Sequence, residues 1–155
     1  MKKFLFTIFL FSLTIVATAQ TAEIKWFTLE EALTMQQKAG KKAKPIFMDI
    51  YTVWCGPCKL LDKTTFVDPA VVKKINTDYI PVKFNGEGAD VITYLGKKYA
   101  NPNYNPSRKG RNATHQLTDF LELQGYPTLF ILGPNGEKQK TIMGYKTGPE
   151  LLQEI

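Results

Sequence analysis

Two cysteines three positions apart, Cys55 and Cys58, stand where an apolar run stops and a helical pattern begins, and no other feature constrains the fold as tightly. The run Pro45-Ile46-Phe47-Met48-Asp49-Ile50-Tyr51 is apolar on both faces except at Asp49, as in a parallel strand covered on both sides. A helix is predicted from about Cys55 to Phe66. A Cys-x-x-Cys pair at such a junction reads as a redox motif when its surroundings are of the βαβ kind. The competing uses of the pair fail on ligand count or spacing. A structural zinc site needs four ligands, and Cys55, Cys58 and the single His115 supply at most three. Covalent haem attachment requires His after the second cysteine, where this chain has Lys59. A structural disulfide across so short a loop gains little loop entropy, and a chain of 155 residues buries enough core to need no staple. Thiol–disulfide exchange remains, with no metal and no cofactor beyond the redox-active Cys55–Cys58 pair itself.

Position assigns the chemistry. Cys55 falls at a helix N-terminus, where unpaired N–H groups and the helix dipole favour a thiolate. Gly56 permits a tight entry, and Pro57 fits a first turn that requires no N–H. Cys55 is therefore expected to be partly exposed and to attack the substrate disulfide. Cys58, one turn deeper, is expected to be less exposed and to resolve the mixed disulfide.

The first nineteen residues read as a leader rather than part of the fold. Met1-Lys2-Lys3 is a charged start, Phe4 to Val16 an apolar run with Ser and Thr, and Ala17-Thr18-Ala19 a small-x-small cleavage pattern before Gln20. The run is too short for the roughly 20 residues of a membrane span, so residues 20–155 are expected as an exported, periplasmic domain with no stable membrane insertion after cleavage. Export brings the cysteines into a compartment where disulfides persist, and a redox pair there needs a partner to hold its state. The net charge of +6 falls to about +4 without Lys2 and Lys3, too little to argue for nucleic acid. Apolar content of 44% and charged content of 22% are those of a globular domain.

The remaining elements follow from local signals. Glu23 to Phe27 suits a short first strand. Thr28-Leu29-Glu30-Glu31 is a capping box opening a helix that Gly40 ends. Asp68-Pro69 caps a helix over Ala70 to Asn76, and Tyr79 to Asn85 reads as a strand. In residues 86–122, Val91, Ile92, Leu95 and Tyr99 suggest a helix, 101–112 a loop, and Leu117, Phe120, Leu121 and Leu123 a second helix ended by Gly125. Leu129 to Leu132 and Lys138 to Met143 are strands joined by Gly133-Pro134-Asn135-Gly136, and a last helix starts at Thr147. His115 reads as a surface residue. Arg108, Lys109 and Arg111 read as a solvated loop, with contact to an acidic partner as the alternative. The order βαβ, αβ, hairpin, helix predicts an α/β fold, a central mixed sheet with helices on both faces.

Trp54-Cys55-Gly56-Pro57-Cys58-Lys59 resembles thioredoxin, and the likeness extends over roughly residues 23–85 and 123–155. Asp49, six positions before Cys55, matches the buried aspartate of thioredoxins, Lys83 the lysine facing it, Tyr126-Pro127-Thr128 the cis-proline loop, and Gly144 the glycine after the hairpin. The apolar run, together with Lys63-Thr64-Thr65-Phe66-Val67-Asp68-Pro69, looks like the C-terminal thioredoxin-like domain of the DsbD family and its exported relatives. The resemblance implies a thioredoxin fold with an insertion, 86–122, before the cis-proline strand. It implies a raised pKa at Asp49 and a role in accepting the Cys58 proton, Lys83 as its ion-pair partner, and a substrate surface of Trp54, Gly56, Pro57, Tyr126 and Pro127. It further implies an exported thiol:disulfide oxidoreductase, most plainly a reductase of protein disulfides supplied with electrons by an inner-membrane thiol carrier. An oxidant or isomerase, a chaperone, or a metal-delivery module on the same fold are the alternatives.

Overall fold

In the computed structural model, which describes residues 23–155, a four-stranded sheet runs through the centre of the chain. The predicted leader and its cleavage before Gln20 lie outside the described residues. Helix α1 (Leu29–Ala39) is opened by the predicted capping box, with Thr28 Oγ1 accepting from Glu31 N and Glu31 reaching back to Thr28 N. Gly40, at φ 55°, ends it. Strand β1 (Ile46–Tyr51) leads through a turn to α2 (Gly56–Leu60), which continues as a wider turn (Leu61–Thr65) in which Phe66 N reaches back five residues to Leu61 O. Helix α3 (Pro69–Asp78) is capped by Asp68, whose carboxylate accepts from Ala70 N and Val71 N. Strand β2 (Ile80–Asn85) then pairs parallel with β1. After the insertion, β5 (Thr128–Leu132) pairs antiparallel with β1 and β6 (Lys138–Met143) with β5, giving the order β2-β1-β5-β6. Helix α5 (Gly148–Glu154) closes the fold. Among the described residues no helix is long and apolar enough to cross a membrane.

Strand alternation sorts the core into two layers. Ile46, Met48 and Ile50 of β1, Val82 and Phe84 of β2, and Phe130 and Leu132 of β5 face α1 and the insertion. Phe47, Leu129 and Ile131 face the other way, onto Leu61, Val71, Ile75 and Leu151. Because side chains alternate with period two, Asp49 shares the face of Phe47. It is therefore buried on the same side as the cysteine helix.

The structure corrects several local expectations. The first strand is reduced to one parallel bridge, Phe27 to Val82. The stretch around Val91 to Tyr99 is a hairpin, not a helix: β3 (Ile92–Tyr94) pairs antiparallel with β4 (Lys97–Tyr99). Its turn places Leu95 and Gly96 at φ 51° and 76°, the two left-handed residues of a type I′ hairpin. Val91 and Leu95 fit helical spacing but are exposed, while Ile92 and Tyr94 alternate into the core around exposed Thr93. The next helix, α4 (Gln116–Phe120), is shorter than predicted, because Glu122 turns to φ 59° and stops it before Leu123 and Gly125. His115 is not on the surface. It is fully buried as the cap of α4: Nδ1 accepts from Leu117 N at 3.0 Å, and Nε2 lies 2.8 Å from Asp90 O. Since Nδ1 accepts, the proton is assigned to Nε2, which donates to that carbonyl.

Candidate active site

Strand β1 ends at Tyr51, and the turn Thr52-Val53-Trp54 delivers Cys55 to the cap position of α2. Cys55 and Cys58 are joined as a disulfide, and Cys55 Sγ accepts from Cys58 N at 3.1 Å. Pro57 occupies the first turn of α2, where its missing N–H leaves no bond unmade. Gly56, Pro57 and Lys59 are exposed. The expected contrast between the two cysteines is not found in this oxidised form: each is only 2% exposed. The sulfurs are bonded to each other and Cys55 Sγ also faces the Cys58 amide, while Val53, Gly56 and Pro57, next to the cysteines in the chain, are exposed.

Beneath the pair, β1 and β2 place Asp49 and Lys83 at the same register position. Asp49 is completely buried. Lys83 Nζ lies 3.3 Å from Asp49 Oδ2, a contact without hydrogen-bond geometry, so both carboxylate oxygens lack a hydrogen-bond partner in the protein. Burial pushes the Asp49 carboxyl up to about 6, against the opposing pull of Lys83. Burial pulls Lys83 down, but Asp49 and Asp62 together outweigh it and leave its pKa raised. Asp62, on the wide turn after α2, is the partner that sequence reasoning missed. Its Oδ1 lies 2.5 Å from Lys83 Nζ, and Lys83 also rests over the rings of Tyr51, Trp26 and Phe66. A widened turn of this kind is frequent at functional sites, and here it carries the acid that draws Lys83 away from Asp49.

The other wall of the site comes from the cis-proline loop. The Tyr126–Pro127 bond is cis, and Pro127 O accepts from Gly144 N at 2.9 Å. Trp54 and Tyr126 meet edge to face with centroids 5.7 Å apart. Tyr126 in turn lies against Gly86, where an added Cβ would sit 2.5 Å from its hydroxyl oxygen and 2.7 Å from Cε1. Burial, with Glu87 and Asp119 nearby, raises the Tyr126 phenol to about 12, so it stays protonated. Gly86→Ala is expected to displace the Tyr126 ring and cost about 1–3 kcal/mol, as overpacking does. Chemical denaturation followed by tryptophan fluorescence reads both effects; an unchanged midpoint and spectrum would show that this wall is not tightly packed.

The insertion joins the site, a feature not legible in its sequence. Glu87, only 8% exposed, accepts from Trp54 Nε1 at 2.8 Å and from Asn112 N at 2.7 Å, both on Oε2. Arg111 is not merely solvated, since its guanidinium lies 4.1 Å from the centroid of the Trp54 ring. The one available signal was position: Gly86-Glu87-Gly88 puts an acid between two glycines just past the C-terminal end of β2. Among the described residues no cluster of three or more His, Cys, Asp or Glu side chains suits a metal ion.

Comparison with known proteins is consistent with this geometry. The family model for thioredoxin-like domains matches residues 30–155. The thiol:disulfide interchange protein DsbD of Pectobacterium atrosepticum is 30% identical over 122 residues, 79% of this chain and 17% of that protein. The DsbD of Vibrio vulnificus is 37% identical over 60 residues, 37% of this chain and 10% of its own length. The chain thus spans less than a fifth of these curated relatives. Among solved structures, a Bacteroides thetaiotaomicron protein provisionally assigned as a disulphide-isomerase superposes with a TM-score of 0.60 and 27% identity, covering 88% of this chain and 93% of that one. The oxidised C-terminal domain of DsbD from Neisseria meningitidis superposes at TM-score 0.52 and 17% identity over 83% of this chain and 95% of its own. That likeness bears on fold alone: a mixed sheet with helices on both faces.

Proposed function

The chain belongs to the thioredoxin-like domain family, and on that premise we propose that it is an exported thiol–disulfide oxidoreductase that reduces protein disulfides through Cys55 and Cys58. The observation that carries this reading is the bonded Cys55–Cys58 pair at the head of α2, above a buried carboxyl whose pKa is raised to about 6. In the reduced protein the Cys55 thiolate attacks one sulfur of the substrate disulfide. A mixed disulfide forms and the first substrate thiolate leaves. Cys58 then loses its proton to Asp49, directly or through one water, and its sulfur attacks Cys55 Sγ. The second substrate thiolate leaves and the Cys55–Cys58 disulfide is formed. Two electrons pass to the substrate, and a dithiol donor, in this reading a membrane thiol carrier, restores the reduced pair. Trp54, Gly56, Pro57, Tyr126 and Pro127 form the substrate rim, with Lys83 adjusting the charge of Asp49. The leader-like start of the sequence supports a periplasmic setting.

The Gly-Pro dipeptide between the cysteines supports the reducing direction, by likeness to thioredoxin. The Bacteroides relative favours isomerisation as the second reading. Reduction of insulin disulfides with dithiothreitol as electron source, together with the potential of the pair against glutathione, tests both. A reductase is expected near about −270 mV and an oxidant near about −120 mV. A value near the latter, or insulin reduction no faster with the protein than without it, would reject the reductase assignment.

A further inference from the structure

Arg111 and Trp54 bring the insertion into contact with the residue that precedes Cys55. The guanidinium lies over the indole, and Glu87 Oε2 ties the indole N–H to the backbone N–H next to Arg111. The loop is held from behind as well. Asn112 Oδ1 accepts from Asn105 N at 2.9 Å and Asn112 Nδ2 donates to Asn105 O at 2.8 Å. Asn101 Nδ2 donates to Gly88 O and Ala113 O, and His115 N to Gly86 O. The loop is therefore a braced element, and Arg111 brings it onto the Trp54 ring.

The charge on this wall is unspent. Among the described residues Arg111, Arg108, Lys109 and Lys59 form no ion pair, and all four are exposed. Glu87 is the acid beside them, but it is nearly buried and its Oε2 is occupied by two N–H donors. A guanidinium stacked on an aromatic face keeps its in-plane N–H donors free for a carboxylate, which it grips in a planar fork. Val53, which precedes Trp54 in the chain, is 54% exposed and offers apolar contact. An apolar patch edged by an anchored Arg is the anatomy of a protein-docking surface.

We propose that the loop 101–115 is a specificity-determining wall of the docking surface, and that Arg111 selects protein partners carrying a carboxylate beside the reactive disulfide. The proposal rests on the exchange activity above and adds the class of partner; the chemical step is unchanged. It is tested with three synthetic peptides that share one intramolecular disulfide and differ only in flanking Glu, Gln or Lys. The full chain is pre-reduced, freed of reductant and mixed with each peptide in excess, and the second-order rate constant of the single exchange is read from oxidation of the pair. The Glu peptide is expected to react about tenfold faster than the Lys peptide at low salt, a gap that narrows as salt screens it. Arg111→Gln is expected to shrink the gap to about twofold and Arg111→Glu to reverse it. Lys73→Glu makes the same charge change on α3 and is expected to preserve it. Equal rates for the Glu and Lys peptides, an unreversed gap in Arg111→Glu, or an equal reversal in Lys73→Glu would each overturn the proposal, while reduction of the Gln peptide would leave the exchange activity standing. If the wild type reduces none of the three, the exchange reading itself falls, and the partner class with it.

Discussion

Cys58→Ala is expected to turn the chain into a covalent trap. Cys55 would still attack a substrate disulfide, but no second thiol would release it, so mixed disulfides should accumulate on Cys55 and run as reductant-sensitive adducts on a non-reducing gel. Turnover with insulin should fall by about 10³-fold or more, since nucleophile and resolving thiol act as a unit. Cys55→Ser should abolish both turnover and adducts. The expected order of attack rests on the geometry at the head of α2. Cys55 is the cap residue, and its sulfur already accepts from the Cys58 amide. That N–H is placed to stabilise charge on Cys55 once the disulfide opens, and among the described residues no comparable donor contacts Cys58 Sγ. Both residues are only 2% exposed when bonded, and exposed Gly56 and Pro57 lie between them in the chain. Adducts that formed on Cys58 in Cys55→Ser, and not on Cys55 in Cys58→Ala, would reverse the assignment. Applied to a cell-envelope extract, the same variant would identify the partners whose flanking residues the Arg111 proposal describes.

What the sequence made legible was whatever is decided locally. The capping box at Thr28 and Glu31, the Asp68-Pro69 helix start and the Asn135-Gly136 turn each depend on residues within four positions of one another, and each is present. The cysteine pair belongs to the same class, because a helix start and a three-residue spacing define it. Asp49 was legible for another reason: a carboxylate in an otherwise apolar strand needs an explanation wherever the strand lies. The failures came where tertiary contacts decided. Val91 to Tyr99 matched helical spacing, yet the positive φ of Leu95 and Gly96 folds the segment back as a hairpin whose alternate residues reach the core. His115 looked like a surface residue because nothing local announces that Asp90 O and Leu117 N will satisfy both of its nitrogens. Asp62 and Glu87 escaped notice because each meets its partner, Lys83 or Trp54, more than twenty positions away.

Asp49→Asn is expected to move stability and rate in opposite directions. With its pKa raised from 3.8 to about 6, native Asp49 binds its proton more tightly than the unfolded chain does. The stabilisation that protonation brings is full below about pH 4 and is lost as pH rises through about 6. Above that window the buried charge costs up to about 3 kcal/mol. Asn carries no charge but buries an amide in a site where neither Asp49 oxygen has a hydrogen-bond partner, which offsets part of the gain. Lys83 keeps Asp62 as its ion partner in the variant. Denaturant melts of the oxidised protein should therefore show Asp49→Asn more stable by about 2 kcal/mol at pH 8, with little difference at pH 4. Resolution of the mixed disulfide should slow by about a hundredfold near neutral pH, the low end for loss of a positioned acid–base group. A surface cavity lined by Trp26, Asp62, Phe66 and Lys83 lies on the Lys83 side of the pair. A structural role alone predicts a change in the melts with no change in the pH dependence of resolution between pH 5 and 8. A proton-accepting role predicts that the limb near pH 6 disappears in the variant, because the group that titrates there is gone.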